Sequence, residues 1–153
     1  MAVFGYLASK GKEPSAPRKI AYGMLIAALG FVVIAYGSIG LLTPDAQKVA
    51  GDAATLVSPS WLINTYLVLT FAELFLSPMG ISFVSKVAPP KFKGLMMGGW
   101  FAATAIGNYL TKVGAMFWND MPLVGVWSIF IGLCLISALF MFVMMKRLEA
   151  ATK

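Results

Sequence analysis

The stretch Glu73–Gly80 (ELFLSPMG) sets an acid, a hydroxyl and a helix-breaking proline inside an apolar run from Trp61 to Val87. A run of that length can cross a bilayer, which puts Glu73 near the membrane midplane. An ionisable group there costs at least ~2.5–3.5 kcal/mol on insertion scales, and by default it marks a substrate or ion path. Glu73, Ser77 and Gly80 fall at i, i+4 and i+7, on one helix face. An acid, a hydroxyl and a gap on a single face suit an aqueous cavity or a helix interface, not lipid. Pro78 has no N–H to donate and clashes with the preceding turn, so a kink is expected just after Glu73.

Chemistry elsewhere is sparse. The six acids (Glu13, Asp45, Asp52, Glu73, Asp120 and Glu149) are scattered, and the chain has no His. Neither a metal site nor a nucleophile–base pair emerges, so the sequence reads as neither a metalloprotein nor an enzyme, and no cofactor is expected. Cys134 is the single cysteine and lies in an apolar run, so there is no disulfide framework.

The elements that must hold Glu73 follow from composition. The 153 residues are 59% hydrophobic and 12% charged, against about 25% charged in globular chains. Mean hydropathy is +0.83, and the charges fall between long apolar runs, the signature of an integral all-α membrane protein. Four transmembrane helices are predicted, at about 20–42, 61–87, 94–118 and 123–145. Residues 1–19 read as the end of a preceding helix followed by a basic loop, and 148–153 as a tail. Ser58 or Ser60 is suited to cap the second span.

Within the first span Gly23, Gly30 and Gly37 recur every seven residues. Small residues in such a row let helix backbones approach closely, so the row reads as a packing seam rather than a pore lining. In the third span Trp100, Thr104, Asn108 and Lys112 form a polar, aromatic stripe, opposite the small pairs Gly98/Ala102 and Ala103/Gly107. Asn108 suits a helix–helix hydrogen bond, Trp100 suits an interfacial anchor or a cavity wall, and Lys112 can snorkel towards Phe117 and Trp118. The fourth span is apolar nearly all round and offers no chemistry.

Net charge is +6, with twelve basic residues. Lys10, Lys12, Arg18, Lys19, Lys86, Lys91, Lys93, Lys146, Arg147 and Lys153 all fall on one side of a four-span topology. Only Lys48 and Lys112 fall on the other. That asymmetry predicts cytoplasmic ends and a cytoplasmic loop between the second and third spans. The positive charge is thus topology, with no nucleic-acid partner implied.

Five motifs occur in order: Lys10–Ser15 (KGKEPS), Glu73–Ser82 (ELFLSPMGIS), Lys86–Pro90 (KVAPP), Leu95–Phe101 (LMMGGWF) and Thr104–Leu110 (TAIGNYL). Together they make the chain closely similar to the C-terminal part of the proton-dependent oligopeptide transporters, a branch of the major facilitator superfamily. The resemblance covers about Leu7 to Arg147. It implies that the four spans correspond to helices nine to twelve of a twelve-helix symporter of the cell (inner) membrane, driven by the proton gradient. It further implies that Glu73 faces the central cavity, holds the amino end of a di- or tripeptide and exchanges a proton. Ser77 matches a position near the same pocket, and Trp100 and Phe101 match residues lining the side-chain pocket. Asn108 matches a position read as packing. Lys112 stands where the family usually has a small residue. The family's proton-coupling signature and its contacts to the peptide carboxylate belong to an N-terminal half not present here. The chain is therefore read as a fragment that does not transport alone.

Two other readings compete. One is a self-contained four-helix oligomeric exporter in which Glu73 binds protons and cations against Trp100. The other is a non-transporting assembly subunit in which Glu73 pairs with a basic residue of a partner helix.

Overall fold

The computed structural model describes residues 14–51 and 56–150, all of whose regular structure is helical. The expected end of a preceding helix and most of the basic loop, up to Glu13, lie outside the described residues, as do 151–153 of the expected tail. Among the described residues six α-helices follow in order: α1 Ala16–Gly37, α2 Pro44–Ala50, α3 Ser60–Val87, α4 Lys93–Leu110, α5 Lys112–Met116 and α6 Leu123–Ala150. A short 3₁₀ turn, Pro90–Phe92, joins α3 to α4. Among the described residues, α1, α3 and α6 are long and apolar enough to cross a membrane. At 1.5 Å per residue, the 22 residues of α1 reach about 33 Å, which matches a hydrocarbon core of about 30 Å.

The helix boundaries have local causes. Pro17 occupies the first turn of α1, where a missing N–H costs nothing, so the helix starts before the predicted residue 20. It stops at Gly37, short of the predicted 42. There Ser38 Oγ donates back to the Ile34 carbonyl at 2.7 Å, and Gly40 turns the chain at a φ of 80°. The polar loop expected next contains α2. Thr43 caps it by accepting from the Ala46 N–H at 3.4 Å, and Pro44 opens its first turn. At α3 the cap position is Pro59, and the Ser58 hydroxyl accepts the Ser60 N–H at 3.3 Å. The helix then runs unbroken through Pro78 to Val87. The stretch predicted as one span over 94–118 is two helices, α4 and α5, meeting at Thr111. The Thr111 hydroxyl donates to the Asn108 carbonyl at 2.6 Å, drawing off an acceptor at the end of α4. α4 alone, with 18 residues, reaches only about 27 Å. At the other end of the chain α6 continues to Ala150, into the predicted tail.

α1 is the centre of the packing. Both α3 and α6 run antiparallel along it, and among the described residues they make no close approach to each other. Its buried positions are mostly small: Ala21, Gly23, Ala27, Ala28, Gly30, Ala35 and Gly37. Against α3, Gly23 lies beside Ala72, Phe75 and Leu76, Gly30 beside Val68 and Leu69, and Gly37 under the Trp61 ring. Lipid tails are as apolar as leucine and give helices no hydrophobic push together. Close backbone approach, with its dispersion contacts, is what holds this pair.

Larger groups fill the other face of α1, against α6. Phe31 stacks on Phe130 at 5.3 Å and on Trp127 at 6.3 Å, and Tyr22 meets Phe142 edge-on at 6.3 Å. Trp127 Nε1 donates to Ser38 Oγ at 3.1 Å. At the opposite end Glu149 clamps the start of α1, accepting from Arg18 Nε at 2.7 Å and from Ser15 Oγ at 2.6 Å.

α4 behaves differently. It contacts α3 but has no buried residue of its own. α5 returns to α6, where Phe130 covers Gly114 and Trp118 meets Trp127 edge-on at 5.6 Å.

Candidate functional site

Glu73 and Ser77 stand on the face of α3 turned away from α1. Ala72, one residue before Glu73, is 1% exposed and packs on Gly23, whereas Glu73 and Ser77 are both exposed. With Thr70, Leu74 and Pro78 they line a shallow groove of about 180 Å³ along this one helix. Pro78 sits in its wall. Its ring leaves the Leu74 carbonyl without the usual i+4 donor, which adds an acceptor to the groove. Thr70 donates to the Tyr66 carbonyl at 2.8 Å and is not among the residues singled out from the sequence. The signal that points to it is spacing: a hydroxyl three residues before Glu73 falls on the same face.

Gly80, predicted as a gap on this face, is filled. The Trp100 ring lies directly over it, so close that a Cβ at Gly80 would overlap Cη2 and Cζ2 of the indole. The 3₁₀ turn reverses the chain between α3 and α4, and this brings Trp100 onto α3 within one turn of Ser77. Glu73, Ser77 and Trp100 therefore share one surface of α3. Phe101 does not join them. A helix turns about 100° per residue, so Phe101 points away from its neighbour, and it is exposed.

Of the remaining polar residues of α4, Thr104 bonds within its own helix. Thr104 Oγ1 donates to the Trp100 carbonyl at 2.9 Å, and Asn108 is exposed. Gly107 has open space where a Cβ would lie, so among the described residues nothing packs against that notch. Lys112 places its Nζ 4.4 Å from the centre of the Tyr109 ring, a cation–π contact at the start of α5.

This surface can accept a cation or a hydrogen-bond donor at Glu73, bond a polar group at Ser77, and pack an apolar side chain against an indole. Among the described residues no group of three or more Cys, Asp or Glu could hold a metal ion. Among the described residues, helices without strands, three of them apolar enough to span a bilayer, define an all-α membrane protein.

Comparison with known proteins places it more closely. A model of the POT family matches residues 2–130, and the chain belongs to that family. It is 40% identical over 102 residues to the peptide transporter YePEPT of Yersinia enterocolitica, covering 67% of this chain and 18% of that protein. It is 33% identical over 119 residues to dipeptide and tripeptide permease B of Salmonella typhimurium, covering 75% and 22%. With the uncharacterized transporter YclF of Bacillus subtilis the identity is 34% over 122 residues, covering 78% and 23%. The chain thus spans about a fifth of the length of the curated relatives it matches. Those relatives are transporters, not enzymes.

Proposed function

We propose that this chain forms part of the substrate cavity of a proton-coupled di- and tripeptide symporter of the cell (inner) membrane. The observation that carries the reading is the meeting of Trp100 with Gly80 on the face of α3 that bears Glu73 and Ser77. In this reading the Glu73 carboxylate pairs with the peptide ammonium, Ser77 bonds a neighbouring polar group, and the Trp100 indole walls the side-chain pocket. Protonating Glu73 removes the charge that holds the ammonium, which links release to the proton gradient without any cofactor. α4 and α5 together make the third of four crossings, and the ends of the chain are cytoplasmic. The clustering of Arg18, Lys19, Lys86, Lys146 and Arg147 towards one end of the bundle supports that orientation. Alternating access needs two halves around a shared site, so the reading assigns the rest of the cavity to an N-terminal half, and the chain alone does not transport.

The test uses the transporter that contains this chain, reconstituted in vesicles with a labelled dipeptide. Glu73→Gln is expected to abolish accumulation driven by a pH gradient. Accumulation at the wild-type level would remove Glu73 from the mechanism.

A further inference from the structure

Trp100 meets α3 tip first. A Cβ at Gly80 would overlap Cη2 and Cζ2 of the indole and lie 3.2 Å from Cζ3, so the outer end of the ring points into the α3 backbone. Only a residue without a Cβ leaves room for it there. Gly80 is buried under the ring, on a face whose other members, Glu73 and Ser77, are exposed. Trp100 is half-buried, which leaves part of the indole open on the surface it shares with them.

Little in α4 itself holds the ring. Among the described residues no residue of α4 is buried, and Gly94, Gly98, Gly99 and Gly107 all have open space at their Cβ positions. Thr104 donates to the Trp100 carbonyl, a bond to the backbone that leaves the indole free to turn. The seat of the indole is therefore set from α3, by the residue at position 80.

Distance gives that seat a consequence. Gly80 lies seven residues beyond Glu73, about 10 Å along the helix axis. Extended peptide covers about 3.3–3.6 Å per residue. A dipeptide whose ammonium meets Glu73 can thus bring a large side chain to the indole, whereas a methyl group falls short. We infer, on the reading of this face as the substrate cavity, that Gly80 determines substrate specificity through Trp100. By lacking a Cβ it seats the indole where the ring favours peptides with an aromatic or other large apolar side chain. Gly80 itself is a positioning residue, because the ring covers it.

The experiment uses the transporter that contains this chain, reconstituted in vesicles, and measures KM for the dipeptides Ala-Ala, Ala-Phe and Phe-Ala. The readout is the KM of Ala-Ala divided by the lower of the other two. Gly80→Ala should lower this ratio about fivefold, the worth of one aromatic contact. Trp100→Ala should lower it equally, and the two together no further, because both act on one ring. A phenyl ring ends short of where Cη2 and Cζ2 lie, so Gly80→Ala combined with Trp100→Phe should restore most of the ratio. That pair also decides the matter if Gly80→Ala alone fails to fold. Losses that add, a pair that does not rescue, or a fall in maximal rate at constant ratio would make Gly80 a packing residue and overturn its role in specificity. A ratio lowered by Trp100→Ala but not by Gly80→Ala would overturn that role and leave the cavity reading in place. A ratio moved by neither would remove both.

Discussion

Gly23→Ala tests the claim that α1 is held to α3 by backbone approach. A Cβ at Gly23 would lie 2.9 Å from Phe75 Cβ, 3.0 Å from Leu76 Cγ and 3.2 Å from the Ala72 carbonyl oxygen. Two of those atoms, Phe75 Cβ and Ala72 O, are fixed by the α3 backbone and cannot rotate aside. The helices must separate or tilt, at an overpacking cost of about 1–3 kcal/mol. Alanine also gains about 1 kcal/mol over glycine in a helix interior, so the net change alone is ambiguous. A control removes that term. Gly132 lies within α6 with nothing within 4 Å of its Cβ position, so Gly132→Ala should show the gain alone. The two variants are therefore expected to differ by about 1–3 kcal/mol, roughly 5- to 150-fold in the folded-to-unfolded ratio. Unfolding by SDS in mixed micelles, followed by tryptophan fluorescence and far-UV circular dichroism, measures it. Gly30→Ala should fall between them, because its contact at 2.9 Å is the end of the Leu69 side chain, which can turn. If Gly23→Ala stabilises the protein as much as Gly132→Ala, the two helices do not approach as described and the reasoning fails.

Three further outcomes follow from the geometry. Gly80→Ala should drive the Trp100 indole off α3, and with Trp61, Trp118 and Trp127 changed to Phe the emission of Trp100 should move to that of an exposed ring; an unchanged spectrum would mean the indole does not sit there. Trp127→Phe keeps a ring stacked on Phe31 and tilted against Phe130 but removes the donor to Ser38, whose own bond to Ile34 remains, so the loss should be about 0.6 kcal/mol in the same unfolding assay. Glu149→Ala frees Arg18 and Ser15 from α6 and should cost about 1 kcal/mol, shrinking as salt is raised because Arg18 is half exposed; a salt-independent cost would place the loss in packing instead of charge.

The sequence by itself determined the class of the molecule and the residues to watch. Apolar runs about as long as a bilayer is thick can only be membrane helices, because lipid offers no partner for exposed backbone. The seven-residue recurrence of Gly23, Gly30 and Gly37 and the spacing of Glu73, Ser77 and Gly80 are local properties of a helix, legible from its period. The order of the motifs identified the family. Which faces meet was left to the tertiary structure. Leu62, Leu67 and Leu74 are exposed on α3 while Ala72 on the same helix is buried, and all read alike as apolar because lipid and protein interior are similar solvents. Only packing decided that α1 lies between α3 and α6, that its glycines face α3, and that Trp100 fills the gap at Gly80. Only packing brought Trp127 to Ser38, 89 residues apart in the chain. The break at Thr111 was equally illegible, because a hydroxyl near a helix end can bond outward or back to the chain, and the choice depends on where α5 docks under Phe130. Period and composition describe one helix at a time; the surface that Trp100 shares with Glu73 and Ser77 arises between helices, from contacts that no local pattern encodes.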